Sequence, residues 1–104
     1  MQYLIAAKHP PELCPSSNER VRTLASDGAS ELPGLAEKLG VSLLATYVPM
    51  TTHDIFVAVE ADDANSVREF VWQGGLAQWN TVQIFQTSTL EEALGRVQEL
   101  TPVF

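Results

Sequence analysis

Three side chains in this sequence combine metal-binding with proton-transfer chemistry: His9, Cys14 and His53. Imidazole nitrogen and thiolate sulfur suit zinc and copper, and imidazole also exchanges protons near neutral pH. His9 and Cys14 are separated by four residues, two of them prolines, and this spacing matches no standard zinc motif. The three residues therefore form a site only if the fold brings them together.

The elements that position these residues are predicted from apolar periodicity and from helix caps. The predicted strands are residues 2–8, 41–48, 55–59 and 81–87, and the predicted helices lie within residues 16–40, 62–74 and 89–102. Ser16 is the predicted cap of the first helix. Gly28 and Pro33 interrupt the apolar pattern of that helix, so we expect a kinked helix or two short ones. The chain is thus predicted to be a single domain, residues 1–104, with the order βαββαβ and an added C-terminal helix.

This order predicts the α+β class, with a ferredoxin-like antiparallel sheet. Strand four lies beside strand one, strand one beside strand three, and strand three beside strand two, while the helices cover one face. We take strands one and three to be parallel, so that His9 and His53 fall at opposite ends of the sheet. In that arrangement the metal ligands are His9 and Cys14, and His53 joins them only across a dimer, from the partner chain.

The same topology predicts a cluster at the rim of the sheet where His9 lies. The candidate ligand-binding residues are Glu60, Trp79, Asn80 and Tyr47. His9 is also the candidate catalytic base, and Trp79 would form an apolar wall. The structural alternative is that His9 ends a strand, that Cys14 fills a small gap and that Trp79 closes the sheet edge. For Tyr47 the alternative is packing, and for His53 it is simple exposure in a turn.

Both faces of the predicted strands are apolar. In the first strand Tyr3 and Ile5 lie on one side, and Leu4 and Ala6 lie on the other. Since the helices cover one face, the second face is expected to be an interaction surface, and a homodimer that stacks two such faces is the simplest symmetric solution. The alternative is that the C-terminal helix folds back over this face within one chain.

The composition narrows the range of partners and compartments. The 13 acidic residues exceed the 6 lysines and arginines, and the resulting net charge of -7 repels nucleic acid. No run of about 18 apolar residues predicts a membrane span, and the N-terminus lacks the basic start and apolar core of a signal peptide. A single cysteine is consistent with a reducing compartment. We expect a cytoplasmic protein that binds neither nucleic acid nor membrane.

Two segments carry a resemblance to a known superfamily. The apolar hairpin ends in residues 57–63, Val-Ala-Val-Glu-Ala-Asp-Asp, and the last strand is followed by residues 89–93, Thr-Leu-Glu-Glu-Ala. With the short first strand, they resemble the dimeric α/β-barrel superfamily, and most of all small bacterial domains of unknown function related to the Gly-Tyr-Asp domain family. Thr52-His53-Asp54 stands where that triplet is expected. Relatives in the superfamily include muconolactone isomerases and cofactor-free monooxygenases, so the resemblance implies a ligand pocket between sheet and helices and no particular reaction.

These observations leave more than one function open. The first is a homodimer that binds a small molecule or a transition metal, such as zinc or copper, in the rim pocket without turnover. The second is a cofactor-free isomerase or monooxygenase-like enzyme in which His9 abstracts a proton. That second function requires His9 to face an apolar cavity that excludes water. A structural or regulatory dimer without a site is the third.

Overall fold

The computed structural model describes residues 1–104, which form an α+β chain with a four-stranded antiparallel sheet and three α-helices. The strands are β1 (Gln2–Lys8), β2 (Ser42–Tyr47), β3 (Asp54–Glu60) and β4 (Thr81–Thr87). The helices are α1 (Glu19–Leu39), α2 (Ala64–Gln73) and α3 (Leu90–Gln98), and short 3-10 turns cover Pro11–Leu13 and Leu76–Gln78. Each predicted strand and helix therefore has a counterpart in the structure.

The strand order is β2-β3-β1-β4, and every neighbouring pair is antiparallel. The predicted parallel direction of the first and third strands is therefore wrong. The crossover through α1 returns the chain to the end of the sheet where β1 began, so β1 and β2 run in the same direction with β3 between them. The short β2–β3 connection then reverses the chain, which makes β3 antiparallel to both of its neighbours.

The first helix, α1, is one element of 21 residues that continues through Gly28 and Pro33. The chain does not divide into two short helices here. Asn18 caps the helix, since its side chain accepts a hydrogen bond from an N–H of the first turn. The predicted cap, Ser16, lies instead in the preceding loop, where its hydroxyl is 2.9 Å from the sulfur of Cys14.

The core lies between the sheet and the helices α1 and α2. Its members are Tyr3, Ile5, Ala36, Val41, Val57, Val59, Ala61, Val67, Phe70 and Val71. The most completely covered large side chains are Ile5, Val59 and Val67, which join β1, β3 and α2. From α1 only Ala36, near its C-terminal end, belongs to this cluster, whereas Leu24, earlier in the helix, borders a cavity.

An irregularity in β2, between Leu43 and Ala45, changes which side chains face the helices. Regular alternation along the strand predicts that Leu43, Ala45 and Tyr47 share a face. In the structure Leu43 pairs with Val59 on the helix-covered face, whereas Tyr47 pairs with Phe56 on the opposite face. The prediction of a shared face is wrong, because the bulge adds one residue and reverses the alternation after it.

The face of the sheet that α1 and α2 leave uncovered, called the open face below, carries apolar side chains. These are Leu4, Ala6, Ala45, Tyr47, Phe56, Ala58 and Phe85, none of which is buried. The C-terminal helix does not cover them: α3 has no buried residue, and Leu90, Leu94 and Val97 are each more than half exposed. The structure therefore does not show the alternative in which this helix folds over the open face.

Candidate metal centre

The antiparallel register brings His9 and His53 together within one chain. Lys8 and Asp54 are the last paired residues of β1 and β3, so His9 directly follows this pair on one strand and His53 directly precedes it on the other. The His9 N–H donates a hydrogen bond to the His53 carbonyl over 3.1 Å, and the two ring centroids are 5.5 Å apart. The prediction that His53 reaches His9 only across a dimer is wrong, because it depended on parallel strands.

The loop after β1 brings Cys14 to the same place. Two prolines end the strand, since proline cannot donate to a strand ladder, and a 3-10 turn follows. The Cys14 N–H donates to the carbonyl of Pro11 over 3.2 Å, and the Asn18 N–H donates to the carbonyl of Cys14 over 2.8 Å. Cys14 is thus held between the turn and the start of α1, and the ligand atoms of His9, Cys14 and His53 all lie within 4.8 Å of one another.

The imidazole of His9 is held in one tautomer by Asn80. The Asn80 Nδ2 group donates to the Leu76 carbonyl over 3.0 Å, which turns Oδ1 of the amide toward His9 Nδ1, 2.9 Å away. Because Oδ1 only accepts, Nδ1 carries the proton and Nε2 keeps its lone pair. His9 is 6% exposed, and Nε2 is buried without a hydrogen-bond partner. A lone pair oriented in this way by a second side chain is typical of a metal-ligating histidine.

Trp79 and Asn80 lie beside His9, at the rim where the sequence analysis placed them. Their position follows from the register of β4 against β1, in which Thr81 pairs with Lys8. The rings of Trp79 and His9 are 5.1 Å apart and tilted by 47°, and Trp79 is buried. The indole therefore shields one side of the imidazole from water.

Two other predicted ligand-binding residues, Glu60 and Tyr47, lie outside this site. Glu60 pairs with Gln2 at the opposite end of the sheet, where its carboxylate binds the amino terminus of Met1. Its predicted place beside His9 is wrong, because β3 begins at the His9 rim and ends at the other one. Tyr47 lies on the open face and does not border the cavity next to His9.

Ser16 is a site residue that the sequence analysis assigned to a helix cap. Hydrogen bonds from the Ser16 side chain and backbone are the main cause that lowers the pKa of the Cys14 thiol from 9.0 to about 6. Near neutral pH Cys14 is therefore mainly the thiolate, which is the form that binds metal ions. A hydroxyl two residues after a cysteine also occurs in ordinary turns, so the spacing alone did not mark this role.

A cavity of about 550 Å³ lies next to the three candidate ligands, between α1 and the helix-covered face of the sheet. Its apolar lining includes Leu24, Ala25, Leu32, Leu43, Val57 and Phe70. His9, Cys14 and His53 all border it, and Asp54 is the only other ionisable residue that does so. The three candidate ligands thus form a polar patch in the wall of an apolar pocket whose size suits a small molecule.

No protein-family model matches this chain, and a comparison with curated proteins finds no significant relative. None of the helices combines the length and the apolar character needed to cross a membrane.

The thiol of Cys14 should titrate well below the range of an ordinary cysteine. We expect the alkylation rate of the metal-free protein with iodoacetamide to rise with pH through a midpoint of about 6, because the thiolate is the reacting form. Ser16→Ala removes the largest contribution to the lowered pKa of Cys14, so the midpoint of its alkylation profile should move toward pH 9.0. Ser17→Ala is the matched control, since the Ser17 hydroxyl bonds to carbonyl oxygens and not to the sulfur. An unchanged profile in Ser16→Ala would contradict this interpretation.

Proposed function

We propose that this protein binds a transition-metal ion, zinc or copper, through His9, Cys14 and His53 of one chain. The observation that carries the proposal is the Nε2 atom of His9, which is buried, lacks a partner and keeps its lone pair. A buried polar atom without a partner is destabilising, and nearly all such atoms in native proteins are satisfied. A metal ion would supply the missing partner.

The donor set and its spacing support this proposal. Two imidazoles and one thiolate suit zinc and copper. Around a tetrahedral zinc ion, nitrogen and sulfur ligands stand roughly 3.3–3.6 Å apart, given bond lengths of about 2.0–2.3 Å. The three ligand atoms here lie within 4.8 Å of one another. Small side-chain rotations, which move these atoms by about 1 Å, would therefore complete the coordination.

Charge also favours a cation at this site. The chain carries a net charge of -7, which attracts positive ions. Protons compete with a metal for thiolate and imidazole, so binding weakens as the ligands become protonated. Because the pKa of Cys14 is lowered to about 6, its thiolate is available to a metal throughout the neutral range.

Calorimetric titration of the metal-free protein with Zn²⁺ should show one ion bound per chain, with affinity that falls when the pH drops below about 6. His9→Ala, Cys14→Ser and His53→Ala each remove one ligand, so each should weaken binding more than roughly 100-fold. Glu12→Gln changes an exposed charge in the same loop and should leave the affinity unchanged.

Circular dichroism of every variant separates loss of the fold from loss of a ligand. A folded wild-type protein that binds neither zinc nor copper would overturn the proposal. Tight binding that survives all three ligand substitutions would overturn it as well, since the ion would then lie elsewhere.

Asn80 should control metal affinity without touching the metal. Asn80→Leu removes the acceptor that keeps Nδ1 of His9 protonated, so zinc affinity should fall roughly 10–100-fold. Asn80→Asp keeps an oxygen acceptor in the same position and should retain most of the affinity. Competition with a chromophoric zinc chelator measures both variants. An equal loss in the two would contradict a role through the His9 tautomer.

A second candidate is a cofactor-free isomerase or monooxygenase-like enzyme in which His9 acts as the general base. The observation that favours it is again Nε2 of His9, a buried lone pair on a residue that borders an apolar cavity. In such an enzyme a metal ion would block the base, whereas in the metal-binding protein it completes the site. The metal titration separates the two candidates, because a folded protein without metal affinity removes the first and leaves His9 either proton transfer or a purely structural role.

We also propose that two chains associate through their open faces, as a ferredoxin-like dimeric α/β barrel. The open face presents Tyr47 and Phe85, which are 65% and 46% exposed, beside half-buried Leu4 and Phe56. A twofold axis would stack this face on its own copy and remove the apolar side chains of both from water.

Light scattering should then give about twice the chain mass of 11.4 kDa. Tyr47→Asp introduces a charge into the open face and should shift the protein to the monomer. Trp72→Asp is the matched control, since Trp72 is 75% exposed but lies on α2, away from the open face. A monomeric wild-type protein, or a dimer that survives Tyr47→Asp, would argue against this interface.

A further inference from the structure

We infer that a divalent ion at this site keeps one coordination position free, presents it to the apolar cavity, and there binds a monoanionic molecule with an apolar body. The inference rests on the metal binding proposed above. The structure offers three protein ligands, His9, Cys14 and His53. Zinc usually takes four ligands, and sites with three protein ligands keep the fourth position for water or a substrate.

The free position faces the cavity that the three candidate ligands share. A separate groove lies on the open face, beside Ala6, Phe56 and Phe85. His9 and His53 border both this groove and the cavity, whereas Cys14 borders only the cavity. An ion within reach of the sulfur therefore lies on the helix-covered side of the sheet. Asn80 occupies Nδ1 of His9, so the ion binds at Nε2. His9, Cys14 and His53 all border the same cavity, and the free position therefore opens into it.

Charge balance indicates what the free position would take. Two neutral imidazoles and one thiolate leave a divalent ion with one uncompensated positive charge, which is unfavourable next to an apolar wall. A ligand with a single negative charge neutralises it. Lysine and arginine are absent from the lining, so a doubly charged group such as a phosphate finds no further cation. Asp54, the remaining ionisable residue of the lining, does not belong to the group of ligand atoms that lie within 4.8 Å of one another.

The residues that line the cavity indicate the chemistry of the rest of the bound ligand. The cavity walls are mainly apolar side chains that border about 550 Å³, and the cavity is partly open to solvent. A metal-bound water fills only about 30 Å³ of such a space. A chain or ring of several carbon atoms fills more of it and displaces water from the walls. A carboxylate or phenolate that carries such a chain or ring supplies an atom that binds the metal, a single negative charge, and an apolar surface that fits the cavity walls.

The test uses the full chain loaded with Co²⁺, whose visible bands report a change of coordination. Hexanoate should perturb these bands at a concentration at least roughly tenfold lower than acetate, because each buried methylene strengthens binding by roughly a factor of four. Hexyl phosphate should bind more weakly than hexanoate, and 1-hexanol, which brings no charged donor, should leave the bands unchanged. Equal responses to hexanoate and acetate would overturn the inference.

A matched pair of variants locates the apolar body. Ala25→Phe fills the cavity from α1, so it should keep the cobalt spectrum and lose the preference for hexanoate. Ser26→Phe adds the same ring to the exposed side of that helix, and it should keep both the cobalt spectrum and the preference for hexanoate. A preference that survives Ala25→Phe, or hexanoate binding to the metal-free protein with equal affinity, would overturn the inference.

The two proposals fail in different ways in this experiment. A normal cobalt spectrum that hexanoate does not change would overturn the inference and leave metal binding in place. A folded protein with no cobalt spectrum and no zinc affinity would overturn the proposed metal binding, and this inference with it.

Discussion

The hydrogen-bonded register between β1 and β3 is the constraint on which the candidate metal centre depends. It pairs Lys8 with Asp54, and so places His9 against His53 immediately beyond the last pair of the two strands. A slip of one residue would turn Ile5 and Val57 out of the core, because successive strand residues face opposite sides of a sheet. Burial of the core thus also holds the two imidazoles at one rim.

The surroundings of His9 are of low polarity, so the hydrogen bonds of its ring determine which ring nitrogen is left without a partner. Trp79 covers one side of the ring. Asn80 accepts a hydrogen bond from the only N–H group of the neutral imidazole. The remaining nitrogen, Nε2, is buried without a hydrogen-bond partner in the protein, which is destabilising where water has little access. Cys14, on the more exposed side and stabilised as a thiolate by Ser16, adds the negative charge. A buried neutral donor beside a half-buried anionic donor suits a cation that enters from the cavity.

The molecule leaves apolar surface unpacked in two places, and both bear on function. Along the cavity side of α1, Ala25 and Ala29 leave space that larger side chains would fill. The open face and α3 remain in contact with water, and only 14 of 104 residues are buried. A small domain buries a modest share of its surface, so association through the open face would add burial that one chain lacks.

The sequence by itself determined the elements and the chemically active side chains. Apolar periodicity locates the strands and helices, although Asn18 and not the predicted Ser16 caps α1; Asp63 and Thr89 cap α2 and α3. Residue type alone marks His9 as a candidate ligand. Only the tertiary structure decided that His53 meets it within one chain, and that Asn80 determines which of its nitrogens carries the proton. These outcomes depend on strand direction and on backbone groups placed by distant segments, and such contacts leave no signal in local spacing or periodicity.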